Sequence, residues 1–363
     1  MTPKLNISPI SDWLPNQEGP IIISGPCSAE SPEQVMQTAK ELADSSKVNI
    51  LRAGIWKPRT RPNAFEGIGK EALSWLVDAG KATGLPTSTE VATTEHVEQA
   101  LKAGIDILWI GARTSTNPFS VQAIADALSG VDIPVMVKNP INPDLNLWIG
   151  ALERINRAGI TKLSAIHRGF STFHQQYRNA PLWEIPLKLK VMFPNLPIIN
   201  DPSHISGSRA HLQEVAQKAM DLDMDGLMIE THINPDVALS DSKQQLTPTK
   251  FIELLNNLHF RSSKSTSEEY NIQLEELRSQ IDQVDNQMWE LIAARMDITH
   301  RIGAYKKAND VTVFQLDRWK EIMETRQPYA ISKGLDAVFV EKLLQVLHDE
   351  SIKIQTEILN KKQ

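Results

Sequence analysis

Between residue 20 and about residue 260, short apolar runs alternate with longer amphipathic stretches. The strand-like runs are 21–24, 49–53, 85–89, 105–110, 134–138, 161–167, 197–200 and 226–230, eight in all. Several are almost continuously apolar, as strands buried on both faces are. A helix-like stretch follows each. The first carries a start signal, with Ser31 as N-cap, Pro32 at the first helical position and Gln34 three residues after the cap. Eight β/α repeats in about 240 residues predict a closed (β/α)8 barrel of the α/β class. An open doubly wound sheet is the alternative, but no phosphate-loop or dinucleotide glycine motif follows any run.

At 259–271 the texture turns polar and serine-rich, HFRSSKSTSEEYN, and reads as a linker. After it Leu274, Leu277, Ile281, Val284, Met288, Leu291, Ile292, Ile298, Ile302 and Tyr305 recur at helical spacing. Residues 307–312 break that pattern, and further helices fit 316–326 and 337–359. The division is therefore a barrel over 1–260, a linker over 261–270 and a small all-α domain of three helices over 271–363. Two short helices cannot cover the stripe of the long one. A second chain is the expected cover, which predicts a homodimer through this domain and leaves higher assembly open.

Composition removes several function classes. With 41% apolar and 23% charged residues the chain is ordinary globular material. A net charge of -6 gives no bulk case for nucleic acid. No apolar run approaches the roughly 18 residues of a membrane helix, and the first residues lack a secretory apolar core, so a cytoplasmic location is the default expectation. One cysteine excludes a disulfide framework or a cysteine-rich zinc site.

In such barrels chemistry sits at the carboxyl ends of the strands. Cys27, His204, Glu230 and Asp241 follow different runs there and are metal-ligand types. Thiolate, imidazole and two carboxylates suit a divalent Mn, Fe, Co or Zn ion. Arg52, Lys57, Arg59, Arg113, Lys138 and Arg168 stand around the same mouth. Six crowded cations imply an anionic ligand, and Arg forks suit phosphate or carboxylate. Each residue alone would read as packing or solvated surface; the weight lies in their coincidence.

GPCS at 25–28, RAG at 52–54, KPRT at 57–60, GAR at 111–113, DPSH at 201–204, and IE at 229–230 followed by ALSD at 238–241 resemble the type I (β subgroup) 3-deoxy-D-arabino-heptulosonate 7-phosphate (DAHP) synthases. The resemblance covers about residues 20–258, and KPRT and DPSH are its specific segments. It implies condensation of phosphoenolpyruvate with erythrose 4-phosphate, the first step of the shikimate pathway. It implies that Cys27, His204, Glu230 and Asp241 hold the metal, with Mn expected first. Arg113, Lys138, Arg168 and Lys57 should hold phosphoenolpyruvate, with Arg52 close by, and Arg59 and Thr60 the sugar phosphate. Lys57 is the expected acid at the developing alkoxide. The family usually has Ser where Arg61 stands. Many members of the subgroup carry an N-terminal regulatory domain; barely 20 residues precede the first strand here, so none is expected. The related 3-deoxy-octulosonate 8-phosphate synthases are the enzymatic alternative, against which KPRT and the helical domain argue.

In the helical domain Arg295 and Lys306 are 11 residues apart, about 16 Å along a helix and on nearly one face, so both can reach a small dianion. Arg278 lies 17 residues before Arg295, about 25 Å away, and one small ligand cannot touch both within one chain. Residues 271–363, opening LEELRSQIDQVDNQMWELIAAR, resemble the all-helical chorismate mutases. That implies a site lined by Arg278 of a second chain, Arg295, Lys306, Arg318, Ser351 and Gln355. There chorismate rearranges to prephenate, with Lys306 and Gln355 acting on the ether oxygen. Gln315 and Trp319 stand where that family commonly has Asp and Glu, so weaker hydroxyl recognition is expected. A catalytically silent dimerisation and ligand-sensing module is the alternative. With the two activities in one chain, chorismate or prephenate bound at the helical domain is expected to inhibit the barrel.

Overall fold

The computed structural model describes residues 4–15, 17–58, 64–172, 176–261 and 265–361. The chain forms two compact units, Met1–Ser263 and Lys264–Gln363.

In the first unit strands and helices alternate: β1 Ile21–Gly25, α1 Pro32–Asp44, β2 Ile50–Arg52, α2 Glu71–Thr83, β3 Thr87–Val91, α3 Thr94–Ala103, β4 Ile107–Ile110 and α4 Pro118–Ala127. Then come β5 Val135–Lys138, α5 Leu145–Arg157, β6 Leu163–His167, α6 Glu184–Met192, β7 Ile198–Asn200, α7 Pro202–Ser206, α8 Leu212–Asp221, β8 Gly226–Glu230 and α9 Pro248–Asn256. The strands pair in sequence order, and β1 closes parallel on β8 with Ile21 opposite Gly226 and Gly25 opposite Glu230. The barrel is closed, so the open-sheet alternative falls. The start of α1 is as expected: Ser31 Oγ accepts from Gln34 N at 3.1 Å. The Gln34 side chain reaches back to Glu30 N at 3.1 Å, one residue before the cap.

Strand alternation sorts two cores. Ile22, Leu51, Leu108, Val135, Val137, Leu163, Leu227 and Ile229 pack outward under the helices. Ile21, Ile23, Ile50, Ile107, Trp109, Met136, Ile166 and Met228 fill the barrel, together with Leu14 of the N-terminal segment. Parity then fixes the polar residues at the strand ends. Arg52 is two positions after Ile50, Lys138 two after Met136 and Glu230 two after Met228, so all three point inward above the apolar fill.

The second unit has α10 Glu268–Ala308, α11 Leu316–Ser332 and α12 Ala337–Asn360. Ser267 Oγ caps α10 by accepting from Tyr270 N at 3.2 Å, so the last residues of the predicted linker are already helical. The middle helix runs six residues beyond its expected end at Arg326, through Pro328. A proline removes one backbone donor, and the helix absorbs that loss so close to its end. Most of the apolar stripe of α10 stays uncovered within this unit: Leu277, Ile281, Val284 and Leu291 are 57–72% exposed.

Candidate active site

The carboxyl end of the barrel gathers the predicted donors. Cys27, Glu230 and Asp241 offer ligand atoms within 4.8 Å of one another. Cys27 and Glu230 are fully buried. His204 stands at the edge of this trio, its Nε2 3.8 Å from Glu230 Oε1. Its Nδ1 faces Asp201 Oδ2 at 2.8 Å, close enough for an ion pair but out of line for a hydrogen bond. Asp241 adopts φ 46°, a left-handed conformation that Asp tolerates better than most residues.

Two glycines make the arrangement possible. Gly25 has φ 145°, and a Cβ there would lie 2.0 Å from the Arg52 carbonyl oxygen, so only glycine lets β1 pass β2 on the way to Cys27. At Gly54 a Cβ would meet Cys27 O at 2.5 Å and Lys57 Nζ at 2.9 Å. That gap lets Lys57 Nζ donate to Cys27 Sγ at 2.9 Å.

Charge is balanced around the trio. Arg52 Nη1 donates to Glu230 Oε1 at 3.1 Å and its Nη2 to Cys27 O at 3.1 Å. The guanidinium lies over Trp109, 4.8 Å from the ring centroid. Gln244 Nε2 donates to Glu230 Oε2 at 2.7 Å, and Arg178 Nη1 donates to Asp241 Oδ1 at 3.0 Å and to Gln244 Oε1 at 2.8 Å. Burial opposes ionisation of Glu230, yet His204 and Arg52 outweigh it and hold its carboxyl below the usual range. Burial likewise opposes ionisation of Asp241, and His204, Arg178 and Lys57 outweigh it. The Cys27 thiol goes the other way. Burial, then Glu230, pushes it up to about 12. A buried thiol beside two ionised carboxylates fits a divalent cation, whose charge would make it a thiolate. Burial lowers the His204 pKa against the pull of Asp201, so the ring gives up its proton more readily than a free imidazole, as a metal ligand must.

The predicted anion-binding cations form a second layer. Lys138 Nζ donates to Asp201 Oδ2 at 2.9 Å in a buried pair. Asp201 therefore touches both Lys138 and His204, and Lys138 together with His204 in its protonated form holds its buried carboxyl well below the usual range. Arg168 Nη1 donates to Asn179 Oδ1 at 2.9 Å. Burial lowers the Arg168 pKa to about 10, with Arg178 and Arg113 adding to the effect, so Arg113 lies in the same field. Arg59, Thr60 and Arg61 lie outside the described residues.

Sequence reasoning gave no role to Asp201, Glu90, Trp109, Arg178, Asn179 and Gln244. Asp201 carried a signal, since it follows the end of β7, while Glu90 lies within β3 and accepts from Trp109 Nε1 at 3.1 Å. Arg178 and Gln244 come from long loops with no periodicity to place them.

In the helical unit Arg295 Nη1 donates to Ser351 Oγ at 2.8 Å and to Leu347 O at 3.2 Å. Gln355 is buried and its Oε1 has no hydrogen-bond partner among the described residues. Lys306 donates to the Val313 carbonyl and lines a cavity of about 610 Å3 with Ile298, Ile302 and Gln315. Arg278 and Arg318 are not drawn in; they are exposed and paired with Glu275 and Glu321 on their own helices.

A closed barrel whose carboxyl end holds a thiol–carboxylate trio, with Cys27 and Glu230 buried and Asp241 partly so, inside a layer of buried cations defines an enzyme of anionic substrates. The profile of the DAHP synthetase I family matches residues 14–266, and the chain belongs to that family. The profile of chorismate mutase type II matches residues 277–356, so a synthase barrel and a mutase domain are fused in one two-enzyme chain. The phospho-2-dehydro-3-deoxyheptonate aldolase of Thermotoga maritima is 33% identical over 238 residues, covering 65% of this chain and 68% of that protein. A 2-dehydro-3-deoxyphosphooctonate aldolase of Caulobacter vibrioides is 28% identical over 264 residues, covering 67% and 88%. The crystal structure of the Thermotoga maritima DAHP synthase superposes with TM-score 0.59 at 31% identity, covering 65% of this chain and 67% of that one. Among the described residues no helix is long and apolar enough to cross a membrane.

Proposed function

We propose that residues 1–260 condense phosphoenolpyruvate with D-erythrose 4-phosphate to DAHP and phosphate, dependent on a divalent metal ion. Residues 271–363, joined by 261–270, rearrange chorismate to prephenate. The observation that carries the first reading is the convergence of Cys27, Glu230 and Asp241 within 4.8 Å, beside buried Arg52, Lys138 and Arg168. Cys27, Glu230 and Asp241, with His204 turning in from their edge, are the residues that would hold the ion. Mn is the expected ion, with Fe, Co or Zn as alternatives. Such an ion supplies Lewis acidity at a substrate oxygen when bound.

The protein groups do the rest. Lys138, Arg168 and Arg113 hold the phosphate and carboxylate of phosphoenolpyruvate, and Arg59 and Thr60 the sugar phosphate. Two anions that repel in water are thereby kept in reacting geometry. The C3 carbon of phosphoenolpyruvate bonds to the aldehyde carbon, and Lys57 gives a proton to the oxygen that becomes the new hydroxyl. Water adds at C2, and phosphate leaves with its C–O bond. Synthase assays after chelation and re-addition of single metals test this reading. Full activity in chelator would overturn the metal assignment.

In the mutase domain Arg295, Lys306, Ser351 and Gln355 fold the dicarboxylate, and Lys306 and Gln355 stabilise charge on the breaking ether oxygen. Arg278 acts on the site of a partner chain in a homodimer. The exposed stripe of α10 and the distance between Arg278 and Arg295 support that reading. Sedimentation of the full-length chain as a monomer would refute it. A second reading makes this domain a silent sensing module. Trp319, where the mutases commonly have Glu, is stacked on His348 at 4.0 Å and offers no carboxylate. Chorismate turnover separates the two. In either case prephenate or chorismate bound at this domain inhibits the barrel, and synthase rates unchanged by both ligands would end that proposal.

A further inference from the structure

Two side chains of α12 bury a polar atom that finds no hydrogen-bond partner among the described residues: Gln355 Oε1 and His348 Nε2. His348 precedes Ser351 by three residues and Gln355 by seven, so the three share one face of the helix. Arg295 reaches that face from α10 and donates to Ser351 Oγ at 2.8 Å. Burial lowers the His348 pKa, Asp349 pulls the other way and Arg295 adds to the lowering, so the surroundings favour the neutral ring. A neutral imidazole has one N–H and one lone pair, and Nε2 can take either role according to its partner.

From α11, Trp319 stacks on the imidazole with centroids 4.0 Å apart and planes 27° off parallel. Phe314 meets the same ring edge-on at 5.9 Å. The ring is thus clamped on a face and an edge while a buried nitrogen stays unpaired. Indole is a donor only, so Trp319 has no acceptor to offer a hydroxyl, whereas the imidazole it clamps has one. A buried polar atom left unpaired is costly. A pre-oriented one beside an arginine suits a ligand that brings a carboxylate to Arg295 and a hydroxyl within reach of Nε2.

We propose that His348 is a ligand-recognising residue of the mutase domain, its Nε2 exchanging a hydrogen bond with the ring hydroxyl of chorismate or prephenate while Trp319 fixes the imidazole. The proposal rests on the reading of this domain as a chorismate and prephenate site.

The test uses the full-length chain, its His348→Phe variant, which keeps a ring against Trp319, and His348→Gln, which restores a polar atom. Prephenate binding is measured by calorimetry and chorismate turnover by absorbance, with circular dichroism to verify folding. The expected result is a loss of about tenfold or more in prephenate affinity and in kcat/KM for His348→Phe, with partial recovery in His348→Gln. A prephenate analogue without the ring hydroxyl should bind wild type and His348→Phe alike. Prephenate affinity and kcat/KM within twofold of wild type in His348→Phe, or equal weakening of the hydroxyl-free analogue, would overturn the role of His348 and leave the mutase site standing. A wild-type chain that neither turns over chorismate nor binds prephenate would instead overturn the site reading, and this inference with it.

Discussion

Replacing Arg52 with methionine removes one side of a fully buried ion pair, with Arg52 and Glu230 1% and 0% exposed. Methionine keeps most of the volume, so the change is chiefly one of charge. Glu230 keeps its bond from Gln244 but loses the guanidinium at 3.1 Å, and Cys27 O loses a donor. Removing one partner of a buried pair costs about 3–5 kcal/mol, because the remaining charge stays desolvated. For a unit of this size that is a fall in Tm of about 10 °C. The carboxyl can escape the penalty only by taking a proton. Its folded pKa then rises above the ordinary 4.5. The penalty is absent below that ordinary value, grows as pH climbs to the raised one, and is full above it. The gap between wild type and variant is therefore wider at pH 8 than at pH 5. Thermal unfolding of chelated protein, followed by circular dichroism at both pH values, measures it. Added Mn2+ should narrow the gap by returning positive charge beside Glu230. A loss below about 1 kcal/mol at pH 8, or an equal loss at both pH values, would refute the reasoning.

Two further outcomes follow from the same geometry. Gly54→Ala places a Cβ 2.9 Å from Lys57 Nζ and 2.5 Å from the Cys27 carbonyl; synthase kcat should fall about a hundredfold while chorismate turnover is unchanged, and a synthase within threefold of wild type would count against the role of Lys57. His167 is buried and neutral, its Nε2 2.6 Å from Pro181 O and its Nδ1 3.0 Å from Asn200 Nδ2, and burial lowers its pKa to about 4. The unfolded chain takes up that proton first as pH falls from 6.5, so stability drops by about 2 kcal/mol between pH 7 and pH 5; denaturant unfolding should show the drop in wild type and a smaller one in His167→Gln, and equal slopes would refute it.

Local periodicity carried much of the fold. Strand β8 occupies the expected residues 226–230, and β5 and β6 end at Lys138 and His167 as expected. Arg52, Lys138 and Glu230 were legible in the sequence because they are polar residues at the ends of apolar runs; alternation along the observed strands is what turns them inward. Cys27 and Asp241 were legible only as metal-ligand types lying shortly after strand-like runs, with the motif resemblance adding to that, because neither lies on a strand and no period reaches them. Long loops were opaque for the same reason. Arg178 meets Asp241 across 63 residues of chain, and nothing periodic in the sequence announces it.

By itself the sequence determined the repeat of strand and helix, the polar residues at the strand ends, and a long helix with more apolar surface than its neighbours cover. Those properties are local, set by side-chain periods of two and of 3.6 residues. Only the tertiary structure decided that the sheet closes. Closure sets Gly25 of β1 opposite Glu230 of β8 and turns scattered strand ends into one trio of donors. It also decided that Asp201 ties Lys138 to His204, and that the His348 imidazole stacked on Trp319 buries a nitrogen with no partner among the described residues. Such contacts join residues far apart in the chain, and their geometry exists only after the barrel and the helices have packed.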